Sequence, residues 1–182
     1  MPLVLVTGIS GSGKSAVCVA LQQRGLEAHD MDLDGIAAWV HRASGVPAPM
    51  TDVADSGART AEWLAAHEWR VVPSRVEALA QGSGDQSVFL CGMASNQDDV
   101  SHLFAVVICL DVDEATLRDR LATRTSNDFG RSEHELTAIL GWRDAVQDAY
   151  RRGGAVIVDA TLPLDDVVQT VIDASGEPQG NP

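Results

Sequence analysis

Gly8, Gly11, Gly13, Lys14 and Ser15 stand in the order G-x-x-x-x-G-K-S, directly after the apolar run Leu3-Val4-Leu5-Val6. That spacing serves the binding of polyphosphate. Phosphate oxygens are held mainly by backbone N–H groups turned inward, so the chain must come closer than side chains allow, and the glycines permit it. Ser10, Ser12 and Ala16 complete the loop and the first helical turn. The helix expected from about Gly13 aims its positive end at the same phosphates, Lys14 adds a full charge near the transferring group, and Ser15 offers a hydroxyl to Mg²⁺. The strand before the loop and the apolar helix after it, Ala16-Val17-Cys18-Val19-Ala20-Leu21, are the context such a loop requires, and ATP is the ligand it calls for.

A second set of chemical groups follows the next short strand, Leu26 to Asp30. Asp30 and Asp32 lie at its carboxyl end, where open α/β sheets bind their ligands. Two readings stand. The pair is either a polar strand exit with a helix N-cap, or Asp30 holds a water of the Mg²⁺ shell while Asp32 orients an acceptor hydroxyl. Asp34 is assigned to a helix N-terminus. Arg70 is either a donor to an acceptor molecule or a surface residue, and Arg59 and Arg75 read as surface residues. Arg143 is either a structural ion-pair member or a phosphate ligand.

The elements that must position these groups follow from apolar patterning. A helix is expected over Gly35 to Arg42, with Ile36, Trp39 and Val40 along one side. Ala43 to Gly57 reads as a loop, and helices are expected over Ala58 to His67 and Pro73 to Gln81, separated by residues 68–72. Trp39, Trp63 and Trp69 are expected to pack this small region. A strand over Ser87 to Cys91 ends in Gly92, which suggests a close backbone approach at a substrate. Asn96 either caps the next helix or touches that substrate. Leu103 to Leu110 is apolar throughout, as a strand buried on both faces should be. A helix over Asp113 to Arg124 turns Leu117 and Leu121 inward and carries Arg120 and Arg124 on another face. Ser132 and Glu135 form a capping-box pattern, and the helix they open runs to Arg152 with Leu136, Ile139, Leu140 and Val146 on its core face. A last strand, Ala155 to Asp159, leads through Thr161 and Pro163 to a helix ending near Ala174. Five strands, each followed by helix, predict one α/β domain over residues 1–175 with a mainly parallel sheet flanked by helices. Residues 176–182 are expected to be a disordered tail.

Composition narrows the partners. The chain has 182 residues and a formal charge of −13, and it contains no basic run, so nucleic acid is excluded as a partner. Lys14 is the only lysine. No apolar run reaches membrane-spanning length, and the early apolar stretch is too short for a secretory signal, so a cytoplasmic monomer or homodimer is expected. Cys18, Cys91 and Cys109 lack metal-ligand spacing and read as small core residues.

Taken together, these residues resemble the small P-loop kinases, the group of shikimate, gluconate and adenylate kinases. The resemblance rests on the phosphate loop, on the D-x-D of Asp30 and Asp32, on Arg124-Thr125-x-x-Asn127-x-x-x-Arg131, and on the turn around Thr161 and Pro163. It implies a P-loop nucleoside triphosphate hydrolase fold with strand order 2-3-1-4-5, an acceptor-binding insertion over about 31–83 and a lid over about 125–131. By the same likeness, Asp30 sits beside Mg²⁺ and Asp32 holds the acceptor. Arg120 or Arg124 stacks on adenine, Thr161 and Pro163 cradle it, and Arg131 closes over the phosphates. Arg70, Gly92 and Arg143 contact the acceptor. The Gly-Gly-Gly run of shikimate kinases is replaced by Gly92-Met93-Ala94, and the Asp-Gly-x-Pro-Arg sequence of adenylate kinases is missing. The expected activity is therefore transfer of the γ-phosphoryl group of ATP to a hydroxyl of another small metabolite. A nucleoside or nucleoside monophosphate kinase, and a regulatory ATPase without an acceptor, are the alternatives.

Overall fold

The computed structural model describes residues 2–48, 59–82, 86–125 and 129–176. Its centre is strand β1, Leu3–Thr7, in which all five residues are buried. Such a strand needs hydrogen-bonding neighbours on both sides and apolar cover on both faces. Both are present. Parallel strands β5 (Val88–Cys91) and β6 (Phe104–Asp111) flank β1, and β2 (Glu27–Asp30) and β7 (Val156–Asp159) form the edges, in the order β2-β5-β1-β6-β7. That is the expected order 2-3-1-4-5, with two further strands inserted between the second and third.

Strand alternation divides the core. Val4 and Val6 point to one face, against helix α1 (Lys14–Gln23) and the last helix, α6 (Leu164–Ser175), through Val17, Leu21, Val168 and Val171. Leu3 and Leu5 point to the other face, against Met31, Ile36, Val76 and Val100. Beneath the phosphate loop a third cluster joins Ile9 to Leu117 and Leu121 of α4 (Glu114–Thr123) and Ile139 of α5 (Glu133–Arg152). All three cysteines are buried and free, as small core residues. Strand β6 departs from its expected complete burial. Its carboxyl half is buried but Ala105 is exposed, because β7 pairs only with Ile108 to Asp111.

The main correction falls between β2 and β5. The helix expected over Gly35 to Arg42 is a strand, β3 (Ala37–His41), and residues 68–72, expected to separate two helices, supply most of its antiparallel partner, β4 (His67–Val71). Apolar Ile36, Trp39 and Val40 fit helical spacing, but Ala37, Trp39 and His41 also alternate, and pairing with β4 satisfies the backbone while burying Ala37 and Val71. Helices α2 (Ala61–Ala66) and α3 (Pro73–Gln81) flank β4. The expected loop lies partly at 49–58 and the expected tail at 177–182, outside the described residues.

Asn96 neither caps through its side chain nor lines the cleft. It is buried, accepts from the Val71 N–H at 2.8 Å and donates to the Val71 carbonyl at 3.3 Å, closing the end of β4. Asn96→Ala leaves two buried backbone groups unpaired and should cost about 2–3 kcal/mol of stability, read as a lowered urea midpoint with unchanged m-value.

Candidate active site

The chain leaves β1 at the carboxyl edge of the sheet and must turn at once into α1. Gly8 takes φ 140°, and a Cβ there would lie 2.7 Å from the Leu110 carbonyl oxygen and 2.8 Å from Ser12 Oγ, so only glycine fits. The first helical hydrogen bond of α1 runs from Val17 N–H to the Gly13 carbonyl at 3.0 Å. The N–H groups of Lys14, Ser15 and Ala16 therefore precede any intrahelical bond. Neither a capping side chain nor an acidic residue in the first turn satisfies this end of the helix. Open donors and the positive helix end together suit an anion.

A cleft of about 380 Å³ opens there, lined by Ser10, Gly11, Ser12, Gly13, Lys14, Ser15, Ala16, Asp32, Arg120 and Arg124, all expected from sequence. Thr123, Ala160, Leu162, Leu164 and Val167 complete the lining and were not expected. Lys14 Nζ donates to the carbonyls of Gly8 at 2.7 Å and Ile9 at 3.0 Å. Arg120 clamps two segments, donating to the Ser12 carbonyl at 3.0 Å and the Ala160 carbonyl at 2.7 Å, which ties the loop to the turn after β7. Arg124 reaches Ser10 Oγ at 3.3 Å.

The acidic groups sit across from the loop. Asp30 is buried, and its Oδ1 accepts from the N–H groups of Asp32 at 2.9 Å and Leu33 at 3.2 Å. It thus fixes the turn that presents Asp32. Its partner Asp34 accepts from the Asp30 N–H at 3.0 Å and caps no helix. Asp32 is exposed at the cleft mouth, yet enough protein surrounds it that desolvation raises its pKa above the carboxylate range, opposed chiefly by the attraction of Lys14. Desolvation likewise lowers the Lys14 pKa, and Asp32 and Asp30 oppose that shift. The Trp69 side chain, packed against the cluster that contains Met31, also opposes the rise of the Asp32 pKa. Sequence reasoning missed this contact, because it depends on strand β4, where a separator between helices was expected.

The remaining expected residues lie as follows. Arg131 is exposed and donates to the Arg124 carbonyl at 2.8 Å, at the root of the expected lid; Asn127 falls outside the described residues. Thr161 donates to Asp159 Oδ1 through its N–H at 2.9 Å and its hydroxyl at 2.6 Å, and Pro163 occupies the N-cap of α6. Gly92 does meet a close approach, but by the Met31 side chain, whose Cγ and Sδ lie 2.4 Å from a Cβ built there. Arg70 points to the face of the β3–β4 sheet opposite Trp69, binding Glu68 at 2.8 Å and Asp99 at 3.3 Å. Arg143 donates to the Val112 carbonyl at 2.9 Å and pairs with Asp144 at 3.1 Å. Neither arginine lines the cleft. Arg59 is not a surface residue; it is buried against Glu135 at 2.9 Å, and Glu135 also accepts the Gly130 N–H at 2.9 Å, so the expected capping box does not form.

A five-stranded parallel sheet with a glycine-rich phosphate loop between its central strand and α1 defines a P-loop protein built like the small P-loop kinases. The chain belongs to the AAA domain family, whose model matches residues 4–141. Among solved structures, a sugar kinase from Janibacter sp. HTCC2649 is similar, with 18% identity, a TM-score of 0.56 and coverage of 97% of this chain and 95% of that one. Shikimate kinase from Acinetobacter baumannii, in complex with shikimate, has 17% identity, a TM-score of 0.60 and coverage of 95% and 92%. Deoxyadenosine kinase from M. mycoides, with bound dATP, has 15% identity, a TM-score of 0.57 and coverage of 95% and 98%. No curated protein matches the sequence. Among the described residues no helix is long and apolar enough to cross a membrane.

Arg120→Ala removes the link between the loop and the turn after β7 without touching the sheet. ATP affinity should fall about tenfold by calorimetric titration, with the unfolding midpoint little changed.

Proposed function

We propose that the protein is an ATP-dependent kinase that transfers the γ-phosphoryl group to a hydroxyl of a small molecule. The observation that carries this reading is the convergence in one cleft of the uncapped start of α1, Lys14 and Arg124 on one side with Asp32 on the other. A pure nucleotide binder has no use for a desolvated carboxylate facing the phosphate lysine. The three neighbours described above, a sugar, a shikimate and a deoxyadenosine kinase, support the same class of reaction.

In this reading the triphosphate lies against the N–H groups of Gly13 to Ala16, where preorganised donors stabilise the charge spread over the transferring group. Lys14 exchanges its contacts with the Gly8 and Ile9 carbonyls for phosphate oxygens. Leu162 and Leu164, 47% and 45% exposed, give the base an apolar wall that its binding would cover, beside the planar Arg120. Arg131, which donates to the Arg124 carbonyl, would offset charge on the phosphates. Asp32 aligns the acceptor hydroxyl and can accept its proton.

Mg²⁺ suits the oxygen donors present. Ser15 lines the cleft, and the buried Asp30 carboxylate uses Oδ1 for backbone N–H groups, which leaves Oδ2 to meet a metal-bound water. No cluster of three or more ligating side chains occurs among the described residues. Ser15 and Asp30 would hold the ion, which would offset the charge of the phosphates.

Lys14→Ala and Asp32→Asn separate the two halves of the site. The first should abolish acceptor-stimulated ADP release, and the second should lower kcat about 100-fold or more with ATP affinity nearly intact. Full activity in Lys14→Ala would refute the reading.

A further inference from the structure

We propose that the acceptor is an uncharged, hydroxylated ring compound, a sugar or a nucleoside, seated on the aromatic face of β3 and β4 beside Asp32. The inference rests on the kinase reading above and specifies its acceptor.

The first argument is a census of cations. The chain carries thirteen lysine and arginine residues, and all of them fall within the described residues. A carboxylate or phosphate on the acceptor would have to be met by one of them, because an anion in a partly desolvated site needs a charged or multiply hydrogen-bonded partner. Four arginines lie on the acceptor side of Asp32, and each is already engaged. Arg42 pairs with Glu68 at 3.1 Å, Arg59 with Glu135 at 2.9 Å, and Arg70 with both Glu68 and Asp99; Arg75 donates to the Gly35 carbonyl. Freeing Arg59 would strand the fully buried Glu135 carboxylate, while Arg42 and Arg70 share Glu68 and Arg70 also holds Asp99. On the donor side, Lys14, Arg120 and Arg124 line the cleft that takes the triphosphate, whose own charge consumes them. Arg131 is held at the Arg124 carbonyl. The remaining cations lie elsewhere: Arg24, Arg118 and Arg151 pair with Asp165, Glu114 and Asp111, Arg143 holds Val112, and Arg152 ends α5 at the amino-terminal edge of the sheet. Asp30, Asp32 and Asp34 stand together in one turn, where their charge disfavours an anion.

The second argument is what stands there instead. Three of the four tryptophans of the chain gather on the β3–β4 sheet and α2. Trp39 and Trp69 are paired across the β3–β4 ladder with ring centroids 5.5 Å apart, Trp63 meets Trp39 at 5.0 Å, and Phe129 meets it at 6.0 Å. Trp69 packs against the cluster that contains Met31, the chain neighbour of Asp32, which brings the aromatic face up to the carboxylate that would orient the hydroxyl. These tryptophans are only half-buried. Aromatic faces bind the apolar faces of sugar rings and the π-faces of bases without any need for charge.

The test is turnover by the full chain with Mg-ATP, read as ADP release and as phosphorylated product by mass spectrometry, across two matched panels. One holds neutral sugars and nucleosides; the other holds the sugar acids, hydroxylated ring carboxylates and nucleoside monophosphates. The expected result is turnover of a neutral ring with kcat/KM about 100-fold or more above its anionic counterpart. The sugar and nucleoside arms identify the source, and either one supports the proposal. Trp39→Phe and Trp39→Ala should raise the KM for that acceptor progressively, by up to about tenfold, with the KM for ATP unchanged; retention of ATP affinity shows that the variants fold. Comparable or better turnover of an anionic acceptor overturns this inference and leaves the kinase reading standing. ATP binding with no product from either panel overturns the kinase reading, and this inference with it.

Discussion

Strand β1 is hydrogen-bonded on both sides and buried on both faces, and the rest of the molecule answers to that constraint. Five residues with no solvent contact must be covered by α1 and α6 on one face and by the Met31, Ile36 and Val100 cluster on the other. The chain can then leave the sheet only at its carboxyl edge, between β5 and β6, and must reverse at once to lay α1 back over the strand. The reversal needs glycine at position 8 and leaves the first N–H groups of α1 pointing outward. A phosphate site is the by-product of packing a buried parallel strand with a short return.

Positive charge in this acidic chain is used sparingly. Most arginines hold the structure together: Arg120 ties the loop to the turn after β7, Arg59 locks Glu135, and Arg70 spans Glu68 and Asp99. Only a small set faces the cleft. The contrast between a donor side rich in backbone donors and cations and an acceptor side rich in carboxylates and indoles is the electrostatic signature of the site. Desolvation shifts two facing groups in opposite directions, Lys14 downward and Asp32 upward, against their mutual attraction.

The small β3–β4 sheet is where local pattern and tertiary structure part. Apolar positions at 36, 39 and 40 satisfy a helical period, while 37, 39 and 41 satisfy a strand period, and a short segment cannot distinguish them. The decision was made by a partner thirty residues downstream, whose pairing satisfies both backbones and places Trp39 against Trp69. Once the segment is a strand, Trp69 and Arg70 point to opposite faces, so the tryptophan packs against the cluster that contains Met31 and the arginine turns away. Gly92 shows the same limit: sequence indicates a close approach there but not that the approaching group is Met31.

By itself the sequence determined the α/β class, the phosphate loop and the presence of the Asp30–Asp32 pair after β2, whereas the strand order came only through the family resemblance. These depend on short-range rules: apolar runs of strand length, glycines at fixed spacing and polar residues at strand ends. Only the tertiary structure decided which arginines are consumed as struts, that Trp39 and Trp69 pair across β3 and β4, and that Leu162 and Leu164 line the cleft. Those outcomes depend on contacts between residues far apart in the chain, and a side chain's partner is fixed by the backbone that carries it rather than by its own identity.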